Sequence, residues 1–397
     1  MFVVLLLLIV YALLTFGAVL PTSWYLLSFG WLVIVAGLVI HISIRQKRLS
    51  VSNSILLLFT SASLALLLPK FAVALCAAAW AAVAADGDEK RTLWFLRALL
   101  MVGTLEALLG LIQFLVSPGW IFGYMNLSSR SSGTLINRNH FAGLLEMLAP
   151  IAVGFAYIAM RRYREPARSY VFLLAATVIG LAICFSLSRA GMLTFFLTIV
   201  FLVGLVRMRE ARRRLALGIG LSVFGLVIAG AAWMGIDVIV TRYAQLLEQD
   251  AVINEGRLIV FRDTVRMIAD NPLGVGMGRY QDYFRRYQTF RPEFLFDHAH
   301  NDYLETTSEL GVPLAILFWG AVFYILSRAA RAFLSEGSPE RRGILLASSG
   351  GVFAMLVHSL TDFNLQIPSN AMIFFSFVGI AFAHSFKRES HFNGRVF

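Results

Sequence analysis

At 397 residues the chain is long enough for two or three soluble domains, yet hydrophobic residues make up 58% of it and charged residues only 14%, with a mean hydropathy of +0.75. That balance excludes a soluble globular or disordered protein, and repeated apolar runs of roughly 15–24 residues fit the hydrocarbon core of a bilayer. The net charge of +11 is then better explained by loop topology than by nucleic-acid binding.

The chain reads as an all-α polytopic membrane protein, a single membrane domain over residues 1–397 with about twelve transmembrane helices. In chain order the expected spans are roughly 2–20, 24–43, 51–68, 71–85, 93–116, 140–160, 169–186, 190–206, 215–234, 303–327, 343–360 and 370–385. The first run lacks a basic leader region and is too long for the apolar core of a signal peptide, so it is taken as a span. The tight Pro69-Lys70 turn leaves 51–85 open between two spans and one re-entrant hairpin. Both cysteines, Cys76 and Cys184, sit inside apolar runs, which suggests neither a disulfide framework nor a metal site.

Basic residues set the orientation. Arg45 to Arg48, Lys90-Arg91, Arg161 to Arg164, Arg207 to Arg214, Arg328 to Arg342 and Lys387-Arg388 all fall on one side of the alternation, which the positive-inside rule makes cytoplasmic. Both termini are therefore expected in the cytoplasm, with residues 386–397 as a cytoplasmic tail. A long loop over 235–303, between the ninth and tenth spans, is expected on the opposite, periplasmic face.

That loop carries eight basic and ten acidic residues, so any anion binding must come from placement rather than bulk charge. Within it, Arg257–Asp270 reads as an amphipathic helix, with Leu258, Phe261, Val265 and Ile268 on one face and Arg262, Asp263 and Arg266 on another. Asn271-Pro272 ends it. Such a helix either lies on the membrane surface or packs over the bundle. The glycines of Gly274-Val275-Gly276-Met277-Gly278 invite a nucleotide-binding reading, but no strand precedes them, and they are read as a flexible turn.

Polar residues capable of chemistry gather on the outer side. Arg189 sits in the short connection between two spans. It is either a snorkelling anchor or a clamp for phosphate, which a guanidinium grips in bidentate fashion. Arg257 opens the loop helix, where an arginine beside a helix N-terminus makes a stronger anion site than either alone. His300 lies in Asp297-His298-Ala299-His300-Asn301 at the mouth of a span. An imidazole titrates near pH ~6.5, which suits a general base, and Asp297 or Asp302 is placed to orient it. Two histidines two apart form a weak metal-ligand set. Asn137 and Asn139 precede the sixth span, and His358, Asp362 and Asn364 follow the eleventh; asparagines at such ends often only cap helices. Glu106, Gln113 and Glu146 are either interhelical hydrogen-bonding groups or substrate contacts.

These segments together resemble the O-antigen ligase and polymerase superfamily of bacterial membrane glycosyltransferases. The resemblance runs from about Gly133 to Ala383 through Gly133 to Ala142, Ser188-Arg189-Ala190-Gly191, Gly256-Arg257, Asn271 to Gly276, His300 to Leu304, Glu309-Leu310-Gly311 and His358 to Asn364. It implies transfer of a glycan from undecaprenyl diphosphate to an acceptor hydroxyl at the periplasmic face of the inner membrane. No metal, cofactor or nucleic acid takes part, and the anomeric centre inverts. By the same resemblance Arg189 and Arg257 bind the diphosphate and His300 activates or positions the acceptor. Asn137, Asn139, Asn301, His298 and Asp362 are the expected substrate contacts. A lipid A core acceptor, as in a ligase, leads over a growing glycan, as in a polymerase, and over a protein hydroxyl. A lipid or polysaccharide transporter is the rival from another class, but it would predict internal repeats and midplane polar residues, whereas no repeat is visible and the polar groups cluster at one edge.

Overall fold

The computed structural model describes residues 2–18, 88–116, 131–209, 256–289 and 296–386, with a short ladder between Trp120–Ile121 and Tyr124–Met125 and a few isolated positions. Apart from that ladder the described elements are helical. They are α1 (Phe2–Leu14), α2 (Glu89–Leu115), α3 (Arg138–Ile158), α4 (Pro166–Ser186), α5 (Arg189–Arg209), α6 (residues 256–270), α7 (Tyr280–Phe284), α8 (Asp302–Leu310), α9 (Val312–Ser335), α10 (Pro339–His358) and α11 (Pro368–Ser385). The spans expected at 24–43, 51–68, 71–85 and 215–234, and the tail beyond Phe386, lie outside the described residues.

Five described helices are long and apolar enough to cross a membrane: α2, α3 with its π-helical extension to Tyr163, α4, α5 and α9. The more polar α10 and α11 are largely buried and pack in the same bundle. Helix starts follow local chemistry. Asp88, Asn137 and Ser338 accept a backbone N–H at the N-termini of α2, α3 and α10. Proline occupies the first turn of α4, α9, α10 and α11, where its missing N–H costs nothing.

Helix α3 is the mast. It is buried along its whole length and touches α2, α4, α5, α10 and α11. Its seam with α10 is unusually tight: a Cβ on Gly154 would lie 2.5 Å from the Gly343 carbonyl, so only glycine permits this approach. The close seam brings Glu146 of α3 against His358 of α10, with Oε1 and Nδ1 2.5 Å apart and both side chains fully buried.

The arginine-rich ends gather at one end of the bundle. Arg162 pairs with Glu340 at 2.9 Å, Arg342 donates to the Tyr157 hydroxyl at 3.1 Å, Arg209 to the Glu336 carbonyl at 3.2 Å, and Thr92 meets His384 at 3.2 Å.

Three expectations are corrected. The first span is a helix of only 13 residues, ended by a tight turn in which Gly17 has φ 78° and packs on Leu135 and Ile367. The span expected at 303–327 is broken: α8 is a separate short helix with buried acidic residues, and Gly311, at φ 81°, redirects the chain into α9. Third, the loop helix buries Val260, Asp263, Thr264 and Met267, leaving Leu258 and Val265 exposed. Asp263 is kept inside because its Oδ2 accepts both the N–H and the hydroxyl of Thr289, at 2.8 and 2.7 Å. Facing it, Val260, Met267, Val275, Tyr280, Phe284 and Ala299 form a second small core.

The glycine run is a turn, as expected, but a bound one. Val275 and Gly276 donate backbone N–H groups to Ser308 and Glu309, and Val312 donates to Pro272. These bonds strap the loop to the α8–α9 junction.

Breaking the buried Glu146–His358 pair from one side leaves a polar or charged group unmatched, which typically costs about 3–5 kcal/mol. Glu146→Ala and His358→Ala are each expected to lower the detergent-solubilised unfolding temperature markedly, and the double variant by less than the sum. Additive losses in a thermal-unfolding series would show that the pair does not act as a unit.

Candidate active site

Two adjoining assemblies build the end of the bundle opposite the arginine-rich one. In the first, Asn137 accepts the Asn139 N–H at 2.8 Å, so Asn137 is a helix cap. Arg138 donates to the Leu187 carbonyl at 3.0 Å, gripping the left-handed residue (φ 57°) that ends α4. Ser188 then accepts the Gly191 N–H at 3.2 Å and starts α5. A Cβ on Gly191 would lie 2.5 Å from that of Ala142, so α5 begins hard against α3. Arg189, the first residue of α5, is exposed, and half-buried Asn139 lies in the first turn of α3.

The second assembly joins the His-Asn segment to the α10–α11 connection. Asn301 caps α8 by accepting the Leu304 N–H at 3.0 Å, while its amide donates to the Leu360 carbonyl at 2.9 Å. Backbone N–H of Asp302 donates to the Ser359 and Asp362 carbonyls. The Asp302 carboxyl accepts from the Ser359 hydroxyl at 2.8 Å. Burial pushes that carboxyl well above the usual range, and the nearby Glu305 and Asp362 charges add to the rise. Asn301 thus works as a tie between two loops, with both ends of its amide engaged.

His300 sits at φ 51°, a left-handed conformation uncommon outside glycine and often found at functional sites. Its Nδ1 lies 3.5 Å from Asp362 Oδ1, and His140 Nε2 lies 3.9 Å from the same oxygen. The carboxylate facing His300 is therefore Asp362, and the expected orienting role of Asp297 or Asp302 is replaced. Asp362 is 1% exposed. Burial alone would raise its pKa, but His300, His140 and His358 around it hold the carboxyl well below the usual carboxylate range. Its negative charge is thus present throughout the neutral range and lost only on strong acidification.

His298 is turned elsewhere. Its Nδ1 meets Glu305 Oε1 at 2.7 Å, while Glu305 Oε2 accepts the Ala299 N–H at 2.8 Å, fixing the backbone just before His300. Behind Asp362 lies the Glu146–His358 pair, and the charge of half-buried Arg257, second residue of α6, reaches His358. The structure so brings His300, Asp362, His140, His358 and Glu146 into one cluster. Arg189 reaches the same end of α3 through the Ala142–Gly191 contact.

Several buried polar atoms here have no hydrogen-bond partner: His140 Nε2, Glu146 Oε2, His358 Nε2, Asp362 Oδ2 and Asn364 Nδ2. Buried polar atoms are normally satisfied, so these atoms are the ones in the cluster with hydrogen-bonding capacity left for a water or a ligand. The sequence marks His140 and His358 as polar groups at helix ends and Glu146 as an interhelical group or substrate contact, but it gives none of the three a role in the site and does not pair Glu146 with His358. Glu106 and Gln113 are structural: Glu106 accepts the N–H and hydroxyl of Thr134, and Gln113 donates to the Gly133 carbonyl at 2.7 Å. Among the described residues no group of three or more His, Cys, Asp or Glu side chains is arranged to hold a metal ion.

The Asn301 tie is testable. Asn301→Ala removes a cap and one further hydrogen bond, together worth about 1–3 kcal/mol. Asn301→Ser keeps a capping oxygen and loses the bond to Leu360. Thermal unfolding should rank wild type above Ser and Ser above Ala; equal stability of all three would contradict the assignment.

No curated protein matches the chain. Residues 170–319, which run from α4 into α9 and include Arg189, Arg257, His298, His300 and Asn301, match the family described as O-antigen ligase.

Proposed function

We propose that the protein transfers a glycan from undecaprenyl diphosphate to an acceptor hydroxyl at the periplasmic face of the inner membrane, with a lipid A core as acceptor. The observation that carries this reading is the His300–Asp362 contact at 3.5 Å, between a residue of the O-antigen ligase match and one just beyond it. His300 Nδ1 is buried against Asp362, which leaves Nε2 as the nitrogen available to a substrate.

In this reading Nε2 takes the proton of the acceptor hydroxyl as its oxygen attacks the anomeric carbon. The bond from that carbon to the diphosphate breaks, and the electron pair leaves with the diphosphate. One displacement inverts the centre. The imidazolium is balanced by the Asp362 carboxylate, and the departing diphosphate is met by Arg189 and Arg257, whose guanidinium groups suit phosphate oxygens. Asn139 and His298 flank the acceptor path. The long loop, the cytoplasmic termini and about twelve spans belong to the same picture, in which the loop over 235–303 closes above the membrane edge.

The test is a purified-protein assay with undecaprenyl-diphosphate glycan and three acceptors: lipid A core, a second lipid-linked glycan and a protein. A product on lipid A core is expected. Polymerised carrier-linked glycan or glycosylated protein instead would replace the acceptor and keep the chemistry. His300→Ala should lower turnover by about 10²–10⁴-fold, and Arg189→Ala or Arg257→Ala by about 10²–10³-fold. Full transfer by all three folded variants would remove the proposed site. The rate should be unchanged by chelator; loss of activity in chelator would point instead to a metal at His298 and His300.

A further inference from the structure

Three imidazoles from two separate parts of the chain converge on one phenyl ring. Phe363 stacks on His298 with centroids 4.2 Å apart and planes 18° apart. His300 meets the same ring edge-on at 4.8 Å and 71°. His140, from the first turn of α3, does so at 4.8 Å and 77°. These are favourable aromatic arrangements, stacked on a face and perpendicular at an edge.

The ring is itself locked to the carboxylate beside it. The Phe363 N–H donates to Asp362 Oδ1 at 2.9 Å, the oxygen that faces both His300 and His140. One dipeptide thus supplies a charge for the two imidazoles and a surface for their planes. The surface is needed because the charge alone does not fix the plane: 3.5 Å between Nδ1 and Oδ1 is longer than a directional hydrogen bond. His300 also stands on a left-handed backbone, which offers its ring no support from a regular element.

We infer that Phe363 is a positioning residue: its ring sets the planes of His298 and His300, and so aims His300 Nε2 at the acceptor hydroxyl. The inference rests on the reading of His300 as the base. The competing view is that Phe363 only fills space, since it also packs against the main core.

The experiment compares Phe363→Leu, which keeps an apolar side chain and loses the ring, with Phe363→Tyr, which keeps the ring. Both are purified in full-length form and assayed beside His300→Ala. Misplacing a reacting group by about 1 Å costs on the order of 100-fold. Phe363→Leu should therefore lower kcat by roughly 10–100-fold and move the acid limb of the pH–rate profile, with the donor KM and the unfolding temperature little changed. Phe363→Tyr should restore most of the rate. Wild-type kcat in Phe363→Leu overturns the inference, as does a loss that Tyr fails to rescue or that follows the fall in unfolding temperature. If Phe363→Leu does not fold, Phe363→Met is judged by the same criteria. An inactive His300→Ala beside a fully active Phe363→Leu rejects only the role of Phe363; an active His300→Ala rejects the reading of the reaction.

Discussion

The close seam between α3 and α10 governs the end of this protein that carries the histidine cluster. Glycine at 154 and 343 lets the two backbones approach, and that approach seats Glu146 against His358 where no water reaches either. A buried ionisable pair inside an apolar bundle is costly to separate, so the seam has little freedom to slide. His358 is the last residue of α10, and Thr361 donates its N–H back to the His358 carbonyl at 2.9 Å. Fixing His358 therefore fixes the turn that presents Asp362 and Phe363.

The loop above the bundle depends on the same point. Its own core, around Met267, Tyr280 and Phe284, holds α6 and α7 together and buries Ala299. Backbone bonds from Val275, Gly276 and Val312 strap it to the α8–α9 junction, and Asn301 and Asp302 stitch it to the α10–α11 connection. In the proposed site the loop contributes His300 and Arg257, while the carboxylate, the aromatic ring and the second arginine belong to the bundle. Neither half is complete alone.

Much of the fold is legible in the sequence because bilayer thickness and basic loops are strong constraints. Apart from the first span and the one broken at Gly311, the described span ends fall within about five residues of the expected ones, and the arginine-bearing ends meet at one side. Legibility fails where a polar contact overrides hydrophobic pattern. Asp263 belonged by pattern to the outer face of the loop helix, but Thr289 satisfies it inside, and Leu258 and Val265 turn outward in consequence. The break at Gly311 was hidden because Tyr303, Leu304 and Leu310 extend the apolar pattern of α9 backwards. Among site residues, His300 and Arg257 were visible as charges at the mouths of helices. The pairing of His300 with Asp362 was not, since distant segments meet there and the nearer Asp297 and Asp302 are the more obvious partners. Asn137 and Asn301 show the limit from the other side: both act as helix caps, the ordinary role of asparagine at such positions.

The central claim is that Asp362 acts through His300. A double-mutant cycle on turnover, with Asp362→Asn, His300→Ala and the combined variant in the same reconstituted assay, measures this directly. The account predicts that the combined variant is no slower than His300→Ala alone, because the carboxylate has nothing left to orient. Losses that multiply across the two sites would show that Asp362 and His300 work independently and would contradict it.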